Sequence, residues 1–300
     1  MTPNISENIP ELKISEKDKV CAPGINFENG SCYTIDQLIT MAEAYNKEFP
    51  NKPIKLYEGY EMINPKKYKK YLLHKFHTSL PKVESQKKWI EQNFMKHIRN
   101  KQIREELENY TFKPPKPEGD RYAWLSTLDI DDVMAQYEKI YDDFKFLGAV
   151  PIDFDDLTEN DGLKVNIKRL NFTDLKKKGI RRIGIVFNTD PSTKSGQHWI
   201  SAFADLVKGQ IFFYDSAAVL PPKQVRYFLR RIAIYYIKQM NGKRPELAYN
   251  KIRHQYGDSE CGVYSINFIL RLLKGETFRQ ITESKLSDEE VNKCRDKYFA

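Results

Sequence analysis

Arg253-His254-Gln255-Tyr256-Gly257-Asp258-Ser259-Glu260-Cys261-Gly262-Val263-Tyr264-Ser265 is the stretch from which the fold of this chain is read. A polar, turn-prone loop runs into Cys261, and from there Val263, Ile266, Ile269, Leu270 and Leu273 fall at helical spacing. The thiol therefore stands at a predicted helix N-terminus. Unpaired backbone N–H groups and the positive end of the helix dipole favour the thiolate there, and the thiolate is the nucleophilic form. Taken alone, Cys261 reads as a small buried residue at a helix start. The residues upstream change that reading. His198-Trp199 opens the apolar run Trp199-Ile200-Ser201-Ala202-Phe203-Ala204, and Asp215 closes the next run, Ile211-Phe212-Phe213-Tyr214. Both runs predict strands, with a hairpin turn at Lys208-Gly209 between them.

The order His198, Asp215, Gln255, Cys261, with tryptophan behind the histidine and glutamine six residues before the cysteine, resembles one clan of cysteine peptidases. This is the clan of ubiquitin-like-protein proteases and adenovirus-type proteases. The chain is most similar to its polyprotein-processing branch from large cytoplasmic DNA viruses, the SUMO-1-like type of African swine fever virus. Asn188-Thr189-Asp190, Gly196-Gln197-His198-Trp199, Asn250-Lys251-Ile252-Arg253-His254-Gln255 and Glu260-Cys261-Gly262 carry the likeness. It spans roughly Gly119 to Ala300 and fades upstream to a segment near Cys21 and Cys32. Where the viral type carries an amide, this chain has Asp215, as the cellular enzymes of the clan do.

Helix, then a run of strands, then the nucleophile helix is the order of an α+β domain. The resemblance makes it a papain-like catalytic domain, its nucleophile helix packed on a central mixed sheet. Attack on an amide carbonyl needs a thiolate, a proton acceptor that becomes the donor to the leaving amine, and a holder for the oxyanion. The resemblance assigns these roles to Cys261 as nucleophile, His198 as acid and base, and Asp215 as the group that orients and stabilises the imidazolium. Gln255 offers its side-chain amide, with the Cys261 N–H, as the oxyanion hole. Trp199 matches the roof of a narrow substrate channel. Trp124 matches its opposite wall, or is an ordinary core aromatic at a helix start, and Gly262 belongs to the same substrate-binding set. Only residues without bulky side chains pass between two indoles, which fits cleavage after Gly-Gly. His254 shares the loop with Cys261, but the resemblance assigns the base to His198, and a strand-borne residue is better held. Taken one by one, each of these residues also has an ordinary structural reading; their joint order is what favours the triad. The chemistry calls for no metal or coenzyme.

The chain has 300 residues, 40% of them hydrophobic, which suffices for one large or two modest domains. No apolar run approaches bilayer length and the N-terminus lacks a signal-peptide pattern, so a soluble intracellular protein is expected. The four cysteines are irregularly spaced, and reduced thiols are the expectation. Cys21, Cys32, His74 and His77 fit no standard zinc spacing. The formal charge of +8 is uneven: Lys52 to Arg104 holds 14 Lys/Arg against 4 Asp/Glu, whereas Gly119 to Gly162 holds 3 against 12. The basic region 52–104 reads as a solvated helical face, or as a contact for nucleic acid, an anionic membrane surface or an acidic scaffold.

The Pro-rich stretch Thr111 to Gly119 is the expected linker. Residues 1–118 are then a basic, mostly helical arm domain with a mobile tail over Met1 to Lys19, and 119–300 the catalytic domain. In the arm, helices are expected from about Thr34 to Glu48, Met62 to Lys75 and Lys87 to Asn109. Downstream, a helix through Phe144, strands over Phe146 to Phe154, Ile180 to Phe187 and Glu246 to Ile252, a brief helix near Asn171 to Lys178, and helices opening at Pro221-Pro222 and Ser287 complete the expectation.

The function expected is that of a viral cysteine endopeptidase in host cytoplasm and virion, cutting polyprotein precursors at Gly-Gly-Xaa sites. A deconjugating protease for a ubiquitin-like modifier uses the same triad. A clan acyltransferase shares the His-acid-Cys order, although no coenzyme pocket is evident. A scaffold or nucleic-acid-binding protein is the non-enzymatic alternative.

Overall fold

The computed structural model describes residues 9–12, 14–57 and 64–300. They form two compact units, one of the residues up to Pro114 together with Ala300, the other Pro115–Phe299.

In the first unit, α1 (Ile35–Glu48) starts at a capping box between Thr34 and Gln37, and α2 (Pro65–Ser79) at an Asn64 cap with proline in the first turn. The expected start of this second helix at Met62 lies outside the described residues. The expected helix over Lys87–Asn109 is instead broken into 3-10 turns at Gln86–Glu91 and Asn93–His97, then α3 (Lys101–Glu105) and a π turn at Glu106–Tyr110. The cause is the core. Trp89 and Phe94 are both fully buried among Tyr33, Tyr45 and Phe76, yet residues five apart on a regular helix point about 140° apart. The extended residue Gln92 turns both rings inward.

Two further expectations are corrected in this unit. Cys21 and Cys32 are joined by a disulfide, their Cα atoms 5.3 Å apart. Turns at Gly24, Asn29 and Gly30, all with positive φ, fold the intervening loop back, so the sequence spacing gave no sign of the pairing. The described end of the tail is anchored as well: Asp18 is buried and its carboxylate accepts the Gln86 N–H at 2.8 Å.

The second unit is organised on one five-stranded sheet in spatial order β1 (Phe144–Val150), β2 (Arg182–Asn188), β3 (Trp199–Asp205), β4 (Gln210–Tyr214) and β5 (Glu246–Tyr249). The outer pairs β1–β2 and β4–β5 are parallel and the inner pairs antiparallel, which is the mixed α+β architecture expected. Strand alternation splits the side chains between two cores. Ile183, Ile185 and Phe187 of β2, Ala202 and Ala204 of β3, and Ile211 and Phe213 of β4 face a layer with Val225, Phe228 and Ile232 of α6 (Lys223–Gln239). This layer also takes in Phe172 of α5 (Phe172–Lys177). Val186, Phe203, Phe212 and Tyr214 face the other layer, with α4 (Thr127–Ile140) and α7 (Cys261–Leu273). The helix expected to reach Phe144 stops at Ile140, and Phe144 opens β1. Pro151 ends that strand, and the chain continues after Tyr249 as loop. Three short helices close the unit: α8 (Phe278–Glu283), α9 (Asp288–Asn292) and α10 (Arg295–Tyr298).

β3 and β4 meet through a turn in which Gly209 has φ +71°, and a Cβ there would stand 2.2 Å from the Tyr236 ring of α6. Gly209→Ala combines a disfavoured backbone with an overpacked contact. It should cost about 1–3 kcal/mol of folding stability by urea titration. A wild-type midpoint would show that the turn moves freely away from α6.

Candidate active site

His198 immediately precedes β3 and Asp215 immediately follows β4. Because these strands are antiparallel neighbours, the start of one and the end of the other lie at the same end of the sheet. The His198 carbonyl accepts the Thr189 N–H at 2.9 Å, which extends the β2–β3 pairing by one step. Its Nε2 lies 2.7 Å from Asp215 Oδ1.

Cys261 is the first residue of α7 and is buried, 2% exposed. Glu260 precedes it without capping the helix through its side chain, so the orphan N–H groups of the first turn are left for other acceptors. The packing that places the thiol is apolar: Gly184 of β2 lets Ile269 of α7 and the Phe144 ring close over it, where a Cβ would stand 3.2 Å and 3.0 Å from them.

Burial lowers the pKa of His198, but Asp215, which is hydrogen-bonded to the ring, and Cys261 beside it outweigh that and push the value up to about 9. The ring is therefore cationic at neutral pH, between a carboxylate and a thiol. A cationic ring in that position has a proton ready for a leaving group.

Gln255 is buried on the loop that leads to α7. Ser216 Oγ donates to its Oε1 at 2.6 Å, and its Nε2 donates to the Gly257 carbonyl at 2.9 Å. An amide nitrogen has two N–H groups, so one remains to meet an oxyanion. Ser216 and Asn250 were not singled out in the sequence, although they hold the site together. The Ser216 carbonyl accepts the N–H groups of His254 and Gln255, at 2.8 and 3.0 Å. Asn250 brackets Asp215, accepting its N–H at 2.9 Å and donating to its carbonyl at 2.7 Å. The available signals were position alone: Ser216 adjoins the acid, and Asn250 opens a motif segment.

His254 is held elsewhere. Its Nδ1 meets the Tyr214 hydroxyl at 2.9 Å and its Nε2 the Thr282 carbonyl at 3.1 Å, and burial lowers its pKa. Both ring nitrogens are occupied in structural bonds.

The two tryptophans line one groove of about 550 Å³, with Ser126, Pro151, Asn188 and Gly196 among its walls. Trp199 is buried, with its indole N–H on the Leu125 carbonyl at 2.8 Å. Trp124 is 49% exposed and so is not a core aromatic. Gly262 faces inward: a Cβ there would stand 3.0 Å from Leu125 Cβ. Its lack of a side chain serves the packing of α7 on the segment that carries Trp124.

With this geometry in hand, three comparisons are informative. Residues 164–300 match the C-terminal catalytic domain of the Ulp1 protease family. A thiol protease of Acanthamoeba polyphaga mimivirus is 35% identical over 288 residues, 93% of this chain and 93% of its own length. The SUMO-1 cysteine protease of African swine fever virus is 29% identical over 207 residues, 66% of this chain and 74% of its own. In fold, the crystal structure of the African swine fever virus protease matches with a TM-score of 0.62 at 19% identity, covering 96% of this chain and 98% of that one.

The raised value for His198 has a consequence for stability. A histidine with a folded-state pKa near 9, above its ordinary 6.5, contributes stability that is complete below about pH 6.5 and lost as pH rises through about 9. The gap in unfolding free energy between wild type and His198→Gln should therefore narrow between about pH 6 and pH 9.5. A gap that widens over that range would refute the cationic ring.

Proposed function

We propose a role in processing viral structural polyproteins, from one premise: the chain belongs to the Ulp1 protease family and is a cysteine protease. The observation that carries the reading is His198, hydrogen-bonded to Asp215 and raised in pKa by both Asp215 and Cys261, next in the chain to Trp199 of the tryptophan-lined groove.

In this reading the Cys261 thiolate attacks the carbonyl carbon of the scissile bond, and the carbonyl oxygen takes the negative charge. The second N–H of Gln255 Nε2 and the Cys261 N–H receive that charge. His198 gives its proton to the amine as the C–N bond breaks, which leaves a thioester on Cys261. The neutral ring then takes a proton from water, and the resulting hydroxide releases the acid. Asp215 keeps the ring oriented and offsets its charge through both proton transfers.

Trp199 and Trp124 would leave room for a Gly-Gly segment, whose backbone can approach the nucleophile closely. The viral hosts of the relatives support a precursor substrate, with action in the host cytoplasm, at the virus factory and in the virion. Lys66, Lys67 and Lys70 lie exposed along α2 in the basic region. They supply charge for a nucleic-acid or acidic-scaffold contact of the arm domain.

The name of the African swine fever virus relative, a SUMO-1 cysteine protease, favours a second reading, removal of a ubiquitin-like modifier. One assay separates the two. A fluorogenic Gly-Gly-Xaa peptide and C-terminal fluorogenic ubiquitin and SUMO conjugates are offered at neutral pH under reducing conditions. Peptide cleavage with no preference for the folded modifiers is expected. Cys261→Ala and His198→Ala should lower kcat at least about 1000-fold, whereas Gln255→Ala should lower it about 100- to 1000-fold. A strong preference for a conjugate would give first place to deconjugation, and full activity in Cys261→Ala would overturn both readings.

A further inference from the structure

Arg295 of α10 is buried, 6% exposed, and each nitrogen of its guanidinium has a different partner. Nη2 donates to the Ser259 carbonyl at 3.1 Å, two residues before Cys261. Nη1 donates to the Ala123 carbonyl at 2.8 Å, next to Trp124. Nε donates to Asn292 Oδ1 at 2.8 Å, and Asn292 Nδ2 reaches Glu260 Oε1 at 3.0 Å. Glu260 in turn accepts the Ser259 N–H and hydroxyl, at 3.0 and 3.1 Å. One planar cation thus ties the backbone on both sides of the reaction path, the loop that delivers the nucleophile and the segment that presents the exposed indole. The far end of that segment is fixed independently, by the Trp199 indole on the Leu125 carbonyl and by Gly262 against the Leu125 side chain.

We infer that Arg295 is a positioning residue that sets the Trp124 wall and the Cys261 helix start in register with each other. The inference rests on the reading of Cys261 as nucleophile. A fold-stabilising role alone would need no bond to both segments, and an arginine is the side chain whose fork spans two carbonyls and an amide. Burial pulls the guanidinium pKa down, while the charges of Glu260, Cys261, Asp120 and Asp129 act in the opposite direction. Lysine keeps the positive charge and loses the fork.

The test uses the full chain and the Gly-Gly-Xaa peptide. Arg295→Lys, confirmed as folded at the assay temperature by circular dichroism, should lose about 10- to 100-fold in kcat/KM, with KM raised and kcat lowered together. The loss should be much smaller in a Trp124→Ala background, since both changes act on one wall. Arg295→Ala should regain activity with millimolar methylguanidinium and not with ammonium. The space of about 450 Å³ lined by Lys116, Pro117, Asp120 and Arg295 gives that ion a way in. Wild-type kcat and KM in Arg295→Lys, with a lowered Tm alone, would overturn the inference, whether or not the alanine variant folds. Turnover that survives Cys261→Ala would instead sink the nucleophile assignment on which it rests.

Discussion

The antiparallel register of β3 and β4 is the constraint from which the rest of the site follows. Ser201 pairs with Tyr214, so His198 before one strand and Asp215 after the other converge at one end of the sheet, 2.7 Å apart. In a strand, a slip of one residue turns every side chain to the opposite face. Both faces are buried here, and side-chain size selects the register. The face toward α6 carries Ala202 and Ala204 from β3, whereas the face toward α7 carries Trp199 and Phe203. Exchanging the two sets would force aromatic rings under α6 and leave voids under α7, a cost on both sides in a close-packed interior.

The helix that carries Cys261 is held by one kind of interaction along its length and by another at its N-terminus. Along its length α7 is apolar nearly all round, because the sheet covers one side and α4 with α8 to α10 covers the others. At its N-terminus the packing gives way to polar groups: the half-buried Ser259 and the buried Glu260, Asn292 and Arg295 satisfy one another. Apolar packing is tolerant of small shifts, whereas a linked set of hydrogen bonds is not, since loss of one member leaves the others unpaired in a low-dielectric site. Tolerance lies along the helix and precision at the residue that does chemistry.

Much of this was legible in the sequence, for reasons that differ between residues. The strand alternation, the hairpin glycine and the helical spacing after Cys261 are local signals, and each element formed where they stand. His198 and Asp215 stood out in the sequence by their order with Cys261, and the structure brings their side chains within 2.7 Å of each other. The aromatic packing that breaks the segment after Gln86 was not legible, because rings from several elements decide it together. The disulfide was hidden behind turn residues whose geometry sets the approach of the two cysteines. By contrast, α8 was missed although Thr277 and Gln280 form a capping box that the sequence displays openly. Gly262 was given to the substrate by its place beside the nucleophile; only the Leu125 contact shows what the missing Cβ does.

The residues hardest to foresee act through the backbone. Asp215 and Ser216 are gripped from one loop by the Asn250 side chain and by the N–H groups of His254 and Gln255. Backbone groups are common to every residue type, so such bonds leave little trace in composition or spacing. They nevertheless fix the distance between Asp215 and Gln255 more tightly than side-chain contacts would, because a peptide group has no rotamers to lose. The sheet carries His198 and Asp215 at one end, one helix carries Cys261 and one loop Gln255. Three pieces of chain from distant parts of the sequence therefore need a common reference, and the turn Asp215-Ser216 provides it: its side chains meet His198 and Gln255, while its carbonyls hold the loop on which Gln255 rides. A change at that turn would displace His198 and Gln255 together, which makes the pair, rather than either residue, the unit on which the geometry of the site depends.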